Sequence, residues 1–509
     1  EIFYQKGIEV ASQVGDAWQM FTKLLKSNST HVSVRASIYR SLVVVFRACG
    51  PSASFLHDQL VRTLTKYLPC ERLPFVRSSG TRALALLCEH LGPWTHEIAE
   101  LLVRLSLRML HFCEATTRDA AGIALGQAVL RRITERVYVA QSSPAASRSR
   151  RGDENDSSSR AWTVVEGVQR LSAILVRPPA ISVSSHSGGG LFSGGVLGNS
   201  NNDVLGVGDA SHQRAGISKA LIVLLRGLET TLVAENLSSV CTILLSILND
   251  PKALGSPTAV LQASACLGYV IRRGICDRLG ETHQLSLCQV LCELLEPPNR
   301  STADQSSSKP TATVSVLLNE YSAIVTLREL AHIVQVLGEV SDQRFTLLEA
   351  ALSRMLQHSS FPVRRWASLC ARSLGGVLPH RLAGLVRNYL QLITMQCAEL
   401  ETNGARREAL YSVQGLAQAV AALLASSSDG ENSMGVPESL HTFSFKVATT
   451  LLAPTISVPR GQSASSVVVA RAEAGWAVLD SCVLHLGPLA VEPRLSSLLH
   501  LWRATLHAS

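Results

Sequence analysis

The chain has 509 residues, 46% of them hydrophobic and only 5% aromatic, a balance that suits stacked helices of Leu, Ala and Val better than an aromatic-rich β-sandwich. A formal charge of +8 is modest for this length and argues against a nucleic-acid binder, which would concentrate cations in one stripe. No apolar stretch approaches the roughly 20 residues that a bilayer span needs.

From the N-terminus, the first strong elements are amphipathic runs that open at Val34-Arg35-Ala36, Val76-Arg77-Ser78 and Thr117-Arg118-Asp119-Ala120, each after a polar break. The steps from Arg35 to Arg77 to Arg118 are 42 and 41 residues. Apolar or small residues then fall at Val76, Gly80, Ala83, Leu84, Leu87 and Leu91, the stripe of a helix buried on one side. Gly50-Pro51, Gly92-Pro93 and, far downstream, Gly487-Pro488 read as one repeated stop signal, because Gly accepts the left-handed cap and Pro blocks continuation.

Residues 141–213 break the pattern. Ser, Arg, Asp and Gly dominate 141–160 and 177–213, which predicts disorder, and a short helix is expected between them at 161–175 on Trp162, Val165, Val168, Leu171 and Leu175. Gly188 to Gly195 lacks the flanking strand, helix and lysine of a nucleotide cradle and reads as a flexible loop. From 214 to 509 the helical pattern returns, with loops expected near 297–313, 426–437 and 454–466. Phe361-Pro362-Val363-Arg364-Arg365-Trp366-Ala367, Arg406-Arg407-Glu408-Ala409 and Ala470-Arg471-Ala472 open runs like the first three, with 43 residues from Arg364 to Arg407. Trp476 is expected to be buried on a stripe with Ala472, Leu479 and Val483.

Units of about 40–47 residues with two helices each specify an all-α HEAT or armadillo-like solenoid. The predicted organisation is repeats over 1–140, the insert at 141–213 and repeats over 214–509, about nine helical pairs in all. Such an array offers a long surface for partners and no built-in catalytic pocket.

No Walker loop, His-Glu-x-x-His, Cys-x-x-Cys or nucleophile elbow occurs, and no cofactor or metal is expected. Cys288 and Cys292, with His283 nearby, have a spacing that two metal-bound thiolates could use, but the same spacing places two small thiols on a buried stripe. His90, His96, Glu89 and Glu97 around one turn are read as a solvent-facing cap. Cysteines inside apolar runs point to a reducing compartment.

Two basic runs stand out. Arg131 to Arg151 holds six Arg against one Glu and leads into the insert, and Phe361 to Ala398 holds five Arg and no acid. Arg364, Arg365 and Arg381 near helix starts, with Arg387, form the expected partner-binding ridge, because the helix dipole there disfavours cations and an external anion would relieve them. Glu71 and Glu114 in the turns before other repeats would compensate their arginines, whereas Asn28 and Asn403 would not.

The segments at Phe361 to Ile393, Ala405 to Leu440 and Ala470 to Leu506 together resemble, in order, the N-terminal region of the HEAT repeat-containing protein 5 family. Ala474-Gly475-Trp476, Leu486-Gly487-Pro488 and Leu498-Leu499-His500-Leu501-Trp502 carry most of the match. The resemblance implies a non-enzymatic scaffold in clathrin-adaptor traffic between the trans-Golgi network and endosomes, cytoplasmic and peripheral to those membranes. It implies protein partners, the adaptor complex and its accessory proteins, and no nucleic acid or small-molecule substrate. A chain that starts at Glu1 is then expected to be an N-terminal portion of a longer protein. A karyopherin-like receptor or a phosphatase or kinase scaffold is the alternative, the former disfavoured by the positive charge.

Overall fold

The structure is a computed structural model that describes residues 14–27, 31–49, 56–90, 96–142, 162–176, 210–296, 318–338, 341–403, 407–426, 437–453, 462–486 and 491–508. The chain divides into two compact units, Glu1–Arg278 and Leu279–Ser509. The first contains α1 (Val14–Lys26), α2 (Val32–Cys49), α3 (His57–Tyr67), α4 (Pro74–His90), α5 (His96–Met109), α6 (Ala115–Ser142), α7 (Val164–Val176), α8 (Ala210–Gly227), the short α9 (Thr230–Glu235), α10 (Leu237–Ser246) and α11 (Pro257–Val270). The second contains α12 (Glu281–Leu294), α13 (Glu320–Leu337), α14 (Asp342–Leu356), α15 (Phe361–Val377), α16 (Pro379–Asn403), α17 (Arg407–Ser426), α18 (Glu438–Leu452), α19 (Gln462–Leu486) and α20 (Leu495–Ala508).

In the first unit α2, α4, α6, α8 and α11 pack in succession as an inner layer, and in the second α13, α15, α17 and α19 do the same. The helix preceding each belongs to an outer layer, where α1 meets α3, α3 meets α5, α16 meets α18 and α18 meets α20. Among the described residues this makes nine outer–inner pairs, five and four, as the 42-residue period predicts for an all-α solenoid. The stripes behave accordingly: Val76, Gly80, Ala83, Leu84 and Leu87 are buried on α4, and Leu410, Val413, Ala417, Val420 and Leu424 on α17.

Local chemistry places several helix starts. Thr163 and Glu166 form a reciprocal capping box at α7, with Thr163 N–H donating to Glu166 Oε2 (2.7 Å) and Glu166 N–H to Thr163 Oγ1 (3.1 Å). Trp162, just before, has the guanidinium groups of Arg170 and Arg132 at 4.2 and 5.2 Å from its ring. Asn319 caps α13 by accepting from Tyr321 and Ser322 N–H, and Gly338 ends that helix at φ +69°. Between α6 and α8 the backbones nearly touch. A Cβ on Gly122 would lie 2.5 Å from the Gly216 carbonyl oxygen, and one on Gly126 2.5 Å from that of Ala220.

The structure shifts some boundaries. Helix α8 begins at Ala210, inside the stretch read as disordered to 213, because Gln213 and Arg214 are buried and tied to earlier repeats. Likewise α19 begins at Gln462, within the loop expected at 454–466, and α6 continues to Ser142. The rest of the predicted insert and loops, at 143–161, 177–209, 297–317, 427–436 and 454–461, lies outside the described residues, as do Leu91 and the three Gly-Pro stops. Helices α2 and α19 end at Cys49 and Leu486, directly before those stops, and α4 ends at His90, two residues before Gly92.

The burial expected for Trp476 is also corrected. Ala470, Ala474, Val478, Leu479 and Cys482 form the buried stripe of α19, so Trp476 lies beside it, half-buried, and Val483 is exposed. Trp366 on α15 is offset in the same way from Val363, Ala367, Cys370 and Leu374.

Candidate interaction surface

On α2, α4, α8 and α15 an arginine stands about one turn into the inner helix, and its environment decides whether its charge is available. On α2, Arg35 donates to the carbonyls of Leu25 (3.1 Å) and Ser27 (3.3 Å) and pairs with Glu71, which also accepts from Tyr39 Oη (2.9 Å). Burial, then the Glu71 charge, pushes the Tyr39 hydroxyl pKa up, so this hydroxyl stays a donor. On α4, Arg77 donates to the Glu71 carbonyl (3.0 Å) and pairs with Glu114 through two guanidinium nitrogens, with its plane 3.9 Å from the Phe112 ring centroid. Glu71 thus accepts from one repeat through its carboxylate and from the next through its backbone. Both acids do compensate an arginine, but each carboxylate reaches back to the preceding repeat, Glu71 to Arg35 and Glu114 to Arg77, rather than to the arginine its own turn leads into.

Elsewhere glutamine replaces the acid. Arg364 on α15 donates to the carbonyls of His358 and Ser359 (both 2.8 Å) and to Gln414 Oε1 (3.1 Å), and Gln414 Nε2 passes the connection to Glu473 Oε2 on α19 (2.5 Å). Arg214 on α8, hidden from the sequence period by the insert, donates to the Leu175 carbonyl (3.2 Å) and to Gln262 Oε1 (3.4 Å). Its one available signal is an Arg that opens the apolar run following a Gly-rich stretch.

These rungs overturn the expected ridge in part. Arg364 is 4% exposed and its guanidinium is committed to two carbonyls and Gln414, with the Tyr411 ring 5.1 Å away. Burial lowers its pKa from the usual arginine value. Arg365, Arg381 and Arg387 are exposed, and Arg381 lies over the Phe345 ring at 5.5 Å. Arg365 and Arg381 do not share one end of the helix pair. A single residue, Leu378, joins α15 to α16, so the start of α16 adjoins the end of α15, and Arg365 stands about 18 Å along the axis from that end at 1.5 Å per residue. Helix starts that follow one another in sequence therefore fall a helix length apart.

The other chemical candidates are structural. Cys288 and Cys292 are buried and hydrogen-bonded to each other, which with burial drives the Cys292 thiol pKa far up and keeps it protonated. Among the described residues they do not converge with His283 into a metal-holding group. Glu97 pairs outward with Arg62 (2.8 Å), and Glu89 lies 3.9 Å from His90. A furrow of about 260 Å³ between α1 and α2, lined by Phe21, Leu24, Val34, Ile38 and three serines, has no titratable side chain in its wall.

Three histidines do carry a pH consequence. Burial lowers the pKa of His57, His111 and His358, and Nδ1 of His111 accepts from Gln213 Nε2 at 2.7 Å. Above about pH 6.5, the ordinary imidazole value, these rings are neutral folded and unfolded alike and stability is at its full value. As the pH falls below that, the unfolded chain takes up protons the folded rings resist, so stability declines. The thermal midpoint is expected to drop between pH 7 and 5, and His111→Gln to reduce the drop. A profile flat over that range in the unsubstituted chain would contradict the assignment.

No family model matches the chain. It is similar to Protein SWEETIE of Arabidopsis thaliana, 24% identical over 488 residues that cover 94% of this chain and 19% of that protein. The chain thus spans about a fifth of the length of that curated relative. The similarity, together with the paired-helix repeat, supports a relationship to HEAT-repeat proteins. Among solved structures, an engineered protein is 13% identical with coverage of 91% of this chain and 98% of its own at a TM-score of 0.22. A chain from a study of the cadherin–β-catenin interaction is 14% identical with coverage of 93% and 82% at 0.24. Scores this low carry no weight for the fold, which rests on the packing described above.

Proposed function

We propose that this chain is part of a non-enzymatic scaffold that serves clathrin-adaptor-dependent traffic between the trans-Golgi network and endosomes, peripheral to those membranes. The observation that carries the proposal is the similarity to Protein SWEETIE along 94% of the chain, spread over both units rather than confined to one repeat. The resemblance of the segments from Phe361, Ala405 and Ala470 to the HEAT repeat-containing protein 5 family supports the same direction. So does the build of the array, whose inner helices are cross-linked by arginine rungs and leave side chains such as Arg365 outward for partners. No helix among the described residues is long and apolar enough to cross a membrane. Proximity labelling with the full-length protein in cells tests the proposal. Adaptor subunits and their accessory proteins are expected among the strongest neighbours, and a list made of nuclear-pore or phosphatase components would overturn it.

A further inference from the structure

Helices α2 and α4 share an exposed pattern that the next inner helix, α6, lacks. Arg40 and Val44 stand on one outward stripe of α2, and Arg82 and Leu86 stand 42 residues later on the same stripe of α4, the separation of the half-buried Arg35 from the buried Arg77. All four are exposed, Val44 and Leu86 by 45% and 41%, and Phe75 on the same face of α4 is 55% exposed. The Arg40 guanidinium lies 5.2 Å from the Phe75 ring centroid, which joins the two helix faces into one surface. In α6, 41 residues further, the positions of Phe75, Arg82 and Leu86 become Thr116, Ile123 and Gln127. The pattern is therefore two repeats wide.

Its charge is one-sided. Helix α2 has no acidic residue, and α4 has only Glu89, beyond Leu86. Arg35 and Arg77 are neutralised by Glu71 and Glu114, whereas Arg40 and Arg82 enter no ion pair among the described residues. Apolar side chains interleaved with arginines match a ligand that has apolar anchors and carboxylates in the same alternation. We propose that this surface docks an acidic amphipathic helix of a partner protein, lying across α2 and α4. Packed helices are spaced roughly 8–10 Å apart, and carboxylates two turns apart on a helix are separated by about 10.5 Å. One carboxylate then meets Arg40, one meets Arg82, and leucine-sized residues between them cover Phe75, Val44 and Leu86. The surface belongs to the first unit and Arg365 to the second, and the inference does not depend on the traffic proposal.

The test is fluorescence anisotropy of the 509-residue chain with a labelled amphipathic helical peptide bearing leucines and two glutamates seven residues apart, and with its lysine-for-glutamate counterpart. The unsubstituted chain should bind the glutamate peptide, more weakly as salt rises. Arg40→Glu/Arg82→Glu should bind it at least tenfold more weakly and gain affinity for the lysine peptide, while Arg40→Gln/Arg82→Gln weakens binding without that gain. Circular-dichroism melting of each variant checks that it remains folded. No binding by the unsubstituted chain, or equal affinity in the charge-reversed variant, would overturn the proposal. So would binding to phosphatidylserine vesicles without binding to either peptide, which would assign the surface to a lipid.

Discussion

Replacing Arg77 by methionine is expected to destabilise the first unit by about 3 kcal/mol or more, the scale of removing one partner from a buried ion pair. Arg77 is 2% exposed and its guanidinium serves the Glu71 carbonyl, both Glu114 oxygens and the Phe112 ring. Methionine fills much of the volume but leaves the Glu114 carboxylate and the Glu71 carbonyl without their donor. The exposed pair Arg62–Glu97 provides the contrast, since pairs in water contribute about 0–1 kcal/mol. Calorimetry of Arg77→Met and Arg62→Met should separate the two effects, and Arg77→Met/Glu114→Gln should recover part of the loss. Equal losses in the two single variants would sink this account of the rungs.

The second large effect is expected from a single methyl group. A Cβ on Gly415 of α17 would collide with the Leu356 carbonyl oxygen and lie 2.7 Å from its carbon. Those are backbone atoms at the end of α14 and cannot rotate away, and the same Cβ would press on Arg364 Cδ at 3.1 Å. Gly415→Ala must therefore separate α14 from α17, at a cost of about 3 kcal/mol or more. Gly376 on α15 has open space around it, so Gly376→Ala should stabilise slightly, by up to about 1 kcal/mol, from helix propensity alone. A melting temperature of Gly415→Ala at or above the unsubstituted value would mean the two helices do not approach this closely.

The repeat architecture was legible because helical periodicity and a 42-residue spacing both survive in the raw letters. What was not legible is rotation about a helix axis. Arg364 and Arg365 are adjacent and equally cationic, yet a turn of 100° puts one against Gln414 and the other in water. The same rotation leaves Trp366 and Trp476 at the edges of stripes whose centres are small residues such as Ala367 and Ala474. Compensation through Gln262 and Gln414 was invisible to a search for acids. Arg214 was hidden because the insert interrupts the period that would have announced it. Arg40 and Arg82 do not stand out in the sequence beside Arg35 and Arg77, since what distinguishes them is the lack of an ion pair among the described residues.

The glycine seam between α6 and α8 bears on how the molecule reaches its native state. Along most of the first unit, neighbouring inner helices are separated by some 42 residues, but Gly126 and Ala220 are 94 apart. Closing a flexible loop of that length instead of the shorter one costs only about 0.7 kcal/mol more by the logarithmic law, so the extra chain weighs little at equilibrium. Its weight falls on kinetics. The seam is the least local join of the first unit, and it must form between helices already correctly phased, because two bare glycines tolerate no error in register. By the contact-order trend, the meeting of α6 with α8 is expected to follow the more local joins on either side during folding of this half of the chain.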